Sequence, residues 1–306
     1  LTITNDRKID LEENFNPRLR GIENILKHWS RRKLSLKVKL TIINSLAMSQ
    51  IVYPATNLNV PSEFLDKLNK IFYNFLWDGK RSKIAAKTIE NTISTGGLKM
   101  PNIFLKVKSW QLSWLRRALS NPNSKWLITL NKIINCIDFR HLAQCRTNLN
   151  STAFAMPDFY KNVMQTWYDI RDNNNEDMID IPNESLWYNT NITIGKKEIF
   201  KKSWHSRGIM FIHNLIEKNG LFMSHTDISR KYSVKCSFLE LLQIRMAIPI
   251  KWREKLSSIS NDIDYHPIEP KLYVLSQNRF KSLTEYTSKE LYMLLNDQKN
   301  CKHTPT

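Results

Sequence analysis

Residues 62–79 read SEFLDKLNKIFYNFLWDG, and this stretch decides the fold class of the chain. Its large apolar residues recur every three or four positions: Leu65, Leu68, Phe72, Phe75 and Leu76. That spacing places them on one face of an α-helix. We expect the helix to start after Pro61 with Ser62 as its cap and to end at Trp77 and Gly79. The stretch therefore predicts a long amphipathic helix.

Two further amphipathic helices precede it. Asn16 is a candidate cap for the first, with Pro17 at the first helical position, where its missing donor is not needed. Its apolar face comprises Leu19, Ile22, Leu26 and Trp29. Ser35 is the candidate cap of the second, and we expect Pro54 to end it. The apolar stripe of that helix comprises Leu36, Leu40, Ile43 and Ala47. Three such helices imply a bundle.

Helical patterns continue along the rest of the chain. After a turn at Gly96-Gly97, a helix is expected from about Ile103 to Leu119. The chain has only 7 Gly and 11 Pro, so loops are few. The predicted fold class is mainly α, with a helical bundle followed by a second helical region. The predicted ranges are 1–13, a short strand and turn; 14–125, the helical bundle; 126–196, a helical connector with a polar loop near 172–177; 197–258, a second helical region; and 259–306, a largely irregular tail with one short helix at 288–295.

Three local signals shape the predicted second helical region. The apolar residues Ile209, Ile212, Leu215 and Ile216 predict a helix that ends at Asn219-Gly220. Thr226 is expected to begin a short helix. Ser237 and Glu240 have the spacing of a capping box, in which each side chain satisfies a backbone donor of the other residue. The helix that they begin is expected to stop near Pro249.

The formal net charge is +18, and it is distributed unevenly. Residues 1–125 hold 22 Lys and Arg against 9 Asp and Glu, a surplus of 13, which leaves a surplus of 5 for residues 126–306. Such a surplus attracts polyanions of any sequence. No apolar run approaches the roughly 20 residues that span a bilayer, and the first residues lack a signal-peptide pattern. We interpret the chain as nuclear or cytoplasmic, without a membrane partner.

The strongest candidate for an anion-binding site is the segment from Lys27 to Lys39. It is free of acidic residues and carries one histidine and six fixed cations: Lys27, His28, Arg31, Arg32, Lys33, Lys37 and Lys39. A solvated helix face usually mixes both signs of charge, so a purely positive run favours phosphate contact over simple solubility. The first amides of the following helix, at Leu36 and Lys37, are expected to add to the site.

Other basic and aromatic residues give weaker signals. A second cluster follows the helix of residues 62–77 and comprises Lys80, Arg81, Lys83 and Lys87, and further cations occur at Lys106, Lys108, Arg116 and Arg117. Trp29, Trp77, Trp110 and Trp114 could stack on bases. Because they stand at helical spacing beside Leu and Ile, we interpret them as core residues.

The residues that catalysis would need are absent from the sequence. Transfer of nucleotides requires paired carboxylates that hold two metal ions, yet no two aspartates are adjacent anywhere in the chain. The nearest arrangement, Asp262-Ile263-Asp264, stands in a segment followed closely by prolines. The four cysteines form no Cys-x-x-Cys pair and the seven histidines no ligand spacing, which predicts reduced thiols. We therefore predict no catalytic residue, no metal ligand and no cofactor within this chain.

Several blocks, taken in order, resemble the thumb of a LINE-type, or non-LTR, retrotransposon reverse transcriptase. The matching residues are Trp29, Leu34-Ser35-Leu36, Ile42-Ile43, Tyr53, Phe75-Leu76-Trp77 with Gly79-Lys80, and Gly96-Gly97-Leu98 with Pro101. Residues 185–256 are also similar to the sequence that follows the thumb in that family. The resemblance implies that residues 1–13 are the end of the palm.

The resemblance further implies a binding role without chemistry. A thumb grips an RNA template and a DNA primer by backbone contacts, and the magnesium ions of such a polymerase belong to a palm upstream. Since the sequence begins with Leu1, we expect a fragment of a longer protein that is inactive alone. A second interpretation stays open: a basic α-helical scaffold, or a domesticated or decayed remnant of such an element, that binds protein partners. The sequence leaves the oligomeric state open.

Overall fold

The computed structural model describes residues 1–2, 6–82, 84–93, 96–149, 155–172, 180–217, 220–257, 272–276 and 279–301. The chain forms two compact units, one made of Leu1–Trp114 with Thr287–Thr306 and the other of Leu115–Tyr286. Helices dominate both units, so the predicted mainly α class is confirmed. No helix among the described residues is both long enough and apolar enough to span a bilayer.

The first unit is a bundle of helices. In chain order these are α1 Arg7–Asp10, α2 Asn16–Ser30, α3 Leu36–Ile42, α4 Ser49–Asn57, α5 Ser62–Trp77, α6 Ala86–Glu90, α7 Ile103–Gln111 and the start of α8, Ser113–Ser120. Two π-helical segments, Leu11–Phe15 and Ile43–Ala47, connect α1 to α2 and α3 to α4. The last helix of the chain, which extends from Ser288 to Cys301, packs on α7 and completes the unit.

The second unit has shorter elements. They are α9 Lys125–Ile134, α10 Phe139–Leu142, α11 Asp158–Asp172, the hairpin of β1 Thr193–Ile194 and β2 Lys197–Glu198, α12 Lys202–His205, α13 His225–Tyr232, α14 Phe238–Ala247, α15 Ile250–Ser257 and the hairpin of β3 Tyr273–Ser276 and β4 Arg279–Ser282. The predicted helical connector at 126–196 thus contains α9, α10 and α11. The final helix of the chain, Ser288–Cys301, is α16.

The beginning of the chain is helical from Arg7, so the predicted strand and turn are wrong for residues 7–13. The Asp6 carboxylate accepts a hydrogen bond from the Lys8 amide at 2.8 Å, which makes Asp6 a helix-starting residue instead of a turn residue. Residues 3–5 of the predicted strand and turn lie outside the described part. Asn16 is not a cap, because the helical backbone continues through it. Pro17 is accommodated where α2 begins after the π segment.

Pro54 does not end the second predicted helix, which is a further correction. The chain passes from α3 through the π segment into α4, and Pro54 lies inside α4. A proline inside a helix removes one backbone hydrogen bond. Ile51, Pro54 and Ala55 are buried in the core of the bundle, and this packing offsets the lost bond.

Helix α5 lies at the centre of the bundle core. Leu68, Phe72 and Leu76 are fully buried, as the apolar spacing predicts. Ser62 is the first helical residue and not the cap, since the cap position is Pro61. The helix ends as predicted, with Asp78 in a left-handed conformation at a φ of 52° followed by Gly79. The ring of Phe64 lies 5.0 Å from that of Phe15, which ties α5 to the start of α2.

The Gly96-Gly97 pair closes a tight return of the chain after α6. Gly96 has a φ of +78°, which side chains rarely tolerate. A Cβ atom on Gly97 would lie 2.1 Å from the carbonyl oxygen of Asn91, so a side chain there is excluded. The amides of Leu98 and Met100 both donate to the Ile89 carbonyl, at 3.1 and 3.0 Å. The two glycines thus have a purely structural explanation.

The predicted helix over residues 209–216 is wrong. The structure has a short 3-10 helix there, Ile212–Leu215, followed by a bridge between Ile216 and Phe222. Ile209, Ile212 and Leu215 are all buried, so the apolar residues mark a core segment that passes through several conformations. Helix α13 begins at His225 with Ser224 as its cap, one residue before the prediction.

Only one of the two hydrogen bonds of the predicted capping box forms at α14. The Ser237 hydroxyl accepts from the Glu240 amide at 3.2 Å, while the Glu240 carboxylate pairs with Lys201 instead of the cap backbone. The helix then ends at Ala247, two residues before Pro249, as expected.

The tail is more regular than predicted. Strands β3 and β4 form an antiparallel hairpin with Tyr273 opposite Ser282, which the sparse apolar pattern did not indicate. Helix α16 begins at the predicted Ser288 but continues beyond residue 295 to Cys301. The Asn102 amide donates to the Tyr292 hydroxyl at 3.0 Å, so α16 is tied to the start of α7.

Candidate nucleic-acid interface

The α2–α3 corner carries the basic run, and its backbone is held by local hydrogen bonds. The Ser30 hydroxyl donates to the Lys27 carbonyl at 2.8 Å, and the Arg32 amide donates to the Trp29 carbonyl at 3.2 Å. At the other side of the corner, Ser35 caps α3 as predicted, accepting from the Val38 amide at 3.4 Å. The corner is thus a defined turn between two helices.

Most cations of the basic run are exposed on this corner. Those with exposed side chains are Lys27, Arg31, Arg32, Lys33 and Lys37, and His28 is exposed beside them. Within the described ranges, none of these five cations takes part in an ion pair. The corner therefore presents positive charge that no carboxylate of the described residues neutralises.

The indole ring of Trp29 contacts one of these cations, Arg32. The indole is half-buried and packs against the bundle core, as the core interpretation predicts. The Arg32 guanidinium lies 4.6 Å from the centroid of the indole ring, a cation–π contact. This contact limits the rotamers of Arg32 without using its hydrogen-bond donors, so the donors stay available to an anion.

A cavity of about 450 Å³ opens at the same corner. Its lining residues are Ser30, Arg31, Arg32, Lys33, Leu34 and Asp78. Three of the six are cations, and the lone carboxylate is that of Asp78. The concave, positively charged wall suits a phosphate group better than an extended apolar ligand.

Lys39 differs from the rest of the run. Its side chain is only 3% exposed, and the ammonium lies 2.5 Å from Asp78 Oδ1 and 3.3 Å from the Leu76 carbonyl oxygen. It therefore ties α3 to the end of α5 and is turned away from solvent. The predicted phosphate contact of Lys39 is contradicted by this burial, because its charge already has two acceptors inside the bundle.

The exposed side of α3 and α4 extends the cationic corner. No acidic residue occurs between Glu23 and Glu63, a stretch much longer than the basic run itself. On the exposed side of α3, the π segment and α4, the polar residues are Thr41, Asn44, Ser45, Ser49 and Gln50. Near its end Tyr53 is 66% exposed. Sequence reasoning used Tyr53 for the resemblance alone and missed this face, although the absence of acids was a signal for it.

The second basic cluster follows α5. Lys80, Arg81 and Lys87 are exposed, while Lys83 lies outside the described residues. Of the four weaker candidates, Lys106 is half-buried with its ammonium 4.9 Å from the Tyr292 ring centroid, and burial lowers its pKa. Arg116 donates to the Tyr286 carbonyl. Both have structural partners, so neither resembles the open cations of the corner.

The remaining tryptophans pack in the first unit. Trp77 and Trp110 contact the bundle core, and the Trp114 indole donates to the Thr56 carbonyl at 2.8 Å. The indole nitrogen of Trp77 is buried without a hydrogen-bond partner. All three are partly buried, which agrees with the core interpretation and leaves Tyr53 as the more exposed aromatic side chain.

A buried polar network lies in the second unit. His141 Nδ1 lies 3.0 Å from His205 Nε2, and His141 Nε2 lies 3.2 Å from the Ser185 hydroxyl, which itself donates to the Trp187 carbonyl at 2.9 Å. With Ser185 donating onward, its oxygen accepts from His141 Nε2–H, and His141 Nδ1 accepts from His205. Burial, and secondarily the nearby His205, lowers the pKa of His141 to about 3.

The network offers neither a nucleophile nor a metal site. Burial raises the pKa of the Cys145 thiol to about 12, so the thiol stays protonated at neutral pH. Cys136, Cys145 and Cys236 are reduced and form no disulfide. The described ranges contain no cluster of three or more His, Cys, Asp or Glu that could hold a metal ion, and Asp262 and Asp264 lie outside them. The described residues do not fit the magnesium ions of a polymerase.

Comparison with known proteins relates the chain to a transposon. No protein-family model matches it. Over 164 residues it is 26% identical to a protein of Xenopus laevis described as the Transposon TX1 uncharacterized 149 kDa protein. The match covers 51% of this chain and 12% of that protein's length. The similarity supports a transposon origin for the chain.

Proposed function

We propose that this chain is a nucleic-acid-binding segment of a LINE-type retrotransposon reverse transcriptase. In this proposal the α2–α3 corner holds an RNA template and a DNA primer through phosphate contacts, independently of base sequence. The contacting residues are Lys27, His28, Arg31, Arg32, Lys33 and Lys37, with Lys80, Arg81, Lys83 and Lys87 as a secondary set. Lys39 is left out, because its ammonium is buried against Asp78.

The observation that carries the proposal is that the cations of the α2–α3 corner are exposed and in no ion pair with any residue that the structure describes. Five exposed cations lie together without a carboxylate partner among the described residues, and no acid interrupts the sequence between Glu23 and Glu63. A surface that served solubility alone would mix both signs of charge. Beside it, Ser45 and Gln50 are exposed and can contact phosphate and sugar groups, whereas Thr41, Asn44 and Ser49 donate to carbonyls of their own helical segments.

Two further observations support the family part of the proposal. The ordered sequence blocks that resemble a LINE-type thumb all fall in the first compact unit. The similarity to a transposon protein of Xenopus laevis agrees with that resemblance at a coarser level. A role in grip without chemistry also agrees with the absence of paired aspartates from the sequence.

Titration of a template–primer duplex at several salt concentrations tests the proposal. Replacing Arg31, Arg32, Lys33 and Lys37 together by Gln should weaken binding about equally for all sequences. Each lost phosphate contact removes about 0.9 from the slope of log affinity against log salt, so the slope should fall by about 3 to 4 if all four contact phosphate. Fluorescence anisotropy of a labelled duplex measures both quantities.

A matched control separates a site from bulk charge. Lys196, Lys197, Lys202 and Arg207 are exposed cations of the second unit, and changing them to Gln removes the same charge. We expect this variant to keep nearly the whole affinity and salt slope. Equal losses in the two variants would show that the corner is no site, and an unchanged slope in the corner variant would contradict phosphate contact there.

A further inference from the structure

Helix α14 of the second unit has large apolar side chains on both sides. Leu241, Ile244 and the following Ile248 are buried in the core of the unit. On the outward side, Phe238, Leu239 and Met246 are 60%, 69% and 61% exposed, and Leu242 is partly exposed between them. We call these four residues the α14 face. At helical spacing they form one continuous apolar stripe in solvent.

Two arginines border the α14 face, and each has a side-chain contact that holds it there. The Arg245 guanidinium lies 4.8 Å from the centroid of the Phe222 ring, and Arg245 neighbours Leu242 on the helix surface, three residues away. Arg253 of α15 donates to the Met246 sulfur at 3.4 Å, and its Nε atom is buried without a hydrogen-bond partner. In the part of the chain that the structure describes, neither arginine is in an ion pair.

The unpaired charge on α14 is positive. Glu240 is the sole acidic residue of α14, and its carboxylate already pairs with Lys201. A thioether and an aromatic ring are weak partners for a guanidinium compared with a carboxylate. The two arginines therefore retain donors for carboxylates that approach along the edges of the apolar stripe.

We propose that the α14 face binds an acidic amphipathic helix of a partner protein. The apolar side of that helix covers Leu239, Leu242 and Met246, and its flanking carboxylates pair with Arg245 and Arg253. This is recognition of one amphipathic helix by another, with apolar anchors at helical spacing. A second copy of this chain fits poorly, because both copies carry a net charge of +18. The proposal is independent of nucleic-acid binding at the α2–α3 corner.

A designed peptide pair tests the chemistry of the proposed partner. The first probe is a fluorescein-labelled helix of about 18 residues with leucines on one side and glutamates along both edges. The second has the same leucines with lysines in place of the glutamates. In anisotropy titrations of the whole chain, the glutamate peptide should bind at least about tenfold more tightly, with an affinity that falls as salt rises. Equal affinity for both peptides would overturn the proposal.

Variants of the chain test the location. Leu239→Ser with Met246→Ser removes apolar anchors, and Arg245→Gln with Arg253→Gln removes the charges, so each pair should weaken the glutamate peptide about tenfold or more. Ile128→Ser with Ile133→Ser is the matched control, because both isoleucines are exposed on α9 of the same unit. The control should bind the peptide unchanged, and all three variants should bind the template–primer duplex unchanged. Peptide binding that survives both α14-face variants would overturn the proposal.

Two other occupants of the face give distinct results. Co-sedimentation with phosphatidylcholine vesicles containing phosphatidylserine, abolished by the Leu239 and Met246 changes, would assign the face to an anionic membrane. A concentration-dependent dimer in sedimentation velocity, abolished by the same changes, would assign it to a second copy. Either result would overturn the proposal, and the expected result is a monomer that ignores vesicles and binds the glutamate peptide.

Discussion

At the scale of single residues, the position on the helix decides what each cation of the basic run does. Lys37 and Lys39 are two residues apart in α3, yet Lys37 is exposed and Lys39 is buried. Lys39 is three residues after Leu36 and four before Ile43, so helical spacing places it within the apolar stripe. Counting charges along the sequence groups the two lysines together, whereas the helical period separates them.

The His141 network makes stability depend on pH. Buried His141 has a pKa of about 3 in the fold, against an ordinary value of 6.5, and burial also lowers the pKa of His205. As the pH falls below about 6.5, the unfolded chain therefore binds protons that the folded chain does not, and folding loses free energy. The stabilisation is fully present above that pH and is lost as the pH falls towards 3.

We predict that His141→Gln flattens this dependence, since glutamine cannot titrate. Urea unfolding between pH 7 and pH 5 should show a falling free energy of unfolding for the natural chain and a smaller fall for the variant. His28→Gln, at an exposed histidine of the α2–α3 corner, is the control and should follow the natural chain. The same pH slope in the His141 variant and in the natural chain would refute the role of the buried network.

At the scale of elements, the ion pair of Lys39 and Asp78 joins α3 to the end of α5. Asp78 is 63% exposed in a left-handed backbone conformation, and Lys39 is buried. Removing the carboxylate leaves an ammonium in the core with a weaker acceptor, whereas removing the ammonium leaves a carboxylate that water can reach. The two partners are therefore unequal in their effect on stability.

We predict that Asp78→Asn lowers the free energy of unfolding by about 1 kcal/mol, and that Lys39→Met lowers it by less. Asparagine is the suitable replacement because it tolerates the left-handed conformation. In the double variant, the cost of Asp78→Asn should nearly vanish, since no buried charge remains. Urea melts of the four proteins measure this coupling. If the changes in the free energy of unfolding are additive, or if Lys39→Met lowers it more than Asp78→Asn does, the proposed inequality of the two partners is wrong.

The sequence predicts elements well where local chemistry decides them. Ser35 caps α3, Gly79 follows the left-handed end of α5, and Ser237 caps α14, because each signal acts within one helical turn. Two local cap signals failed, because Asn16 and Ser62 are helical residues instead of caps. Prediction also failed where distant packing decides. Pro54 stays helical because its neighbours are buried in the bundle. The apolar residues of 209–216 pack in the core of the second unit, although the segment is not an α-helix.

The candidate site was predictable in part for the same reason. Charge composition locates the α2–α3 corner, and the structure adds which cations are open and how the acid-free face continues to Tyr53. The burial of Lys39 needed the contact with Asp78, 39 residues away in sequence. The hairpin of β3 and β4 was missed because its strands are short and, among the described residues, pair with each other instead of with a larger sheet.

At the scale of the whole molecule, the division into two compact units separates two kinds of surface. The first unit holds the open cations of the α2–α3 corner, and the second holds the apolar α14 face. Among the described residues, neither surface brings together the paired carboxylates that nucleotide transfer needs. The proposed function is accordingly grip, and in this proposal the catalytic carboxylates belong to a palm outside this sequence.

The resulting prediction is negative for the chain alone. Given magnesium, primer, RNA template and all four deoxynucleotides, the purified chain should incorporate no nucleotide, because no pair of adjacent aspartates occurs in it. Primer extension on a sequencing gel measures this, and the same preparation should still shift the duplex on a native gel. Extension by the isolated chain would overturn the proposed role at its root.

Joining an upstream palm to the same polypeptide turns this into a positive test. The fusion should extend the primer, and the Gln changes at Arg31, Arg32, Lys33 and Lys37 should then shorten the products more than they slow single additions. The reason is that weaker phosphate contacts mainly speed dissociation, which ends each round of synthesis, while the chemical step in the palm is left intact. Single-turnover addition and product length, measured side by side, separate the two effects. A slower single addition with unchanged product length would assign these cations to chemistry instead of grip.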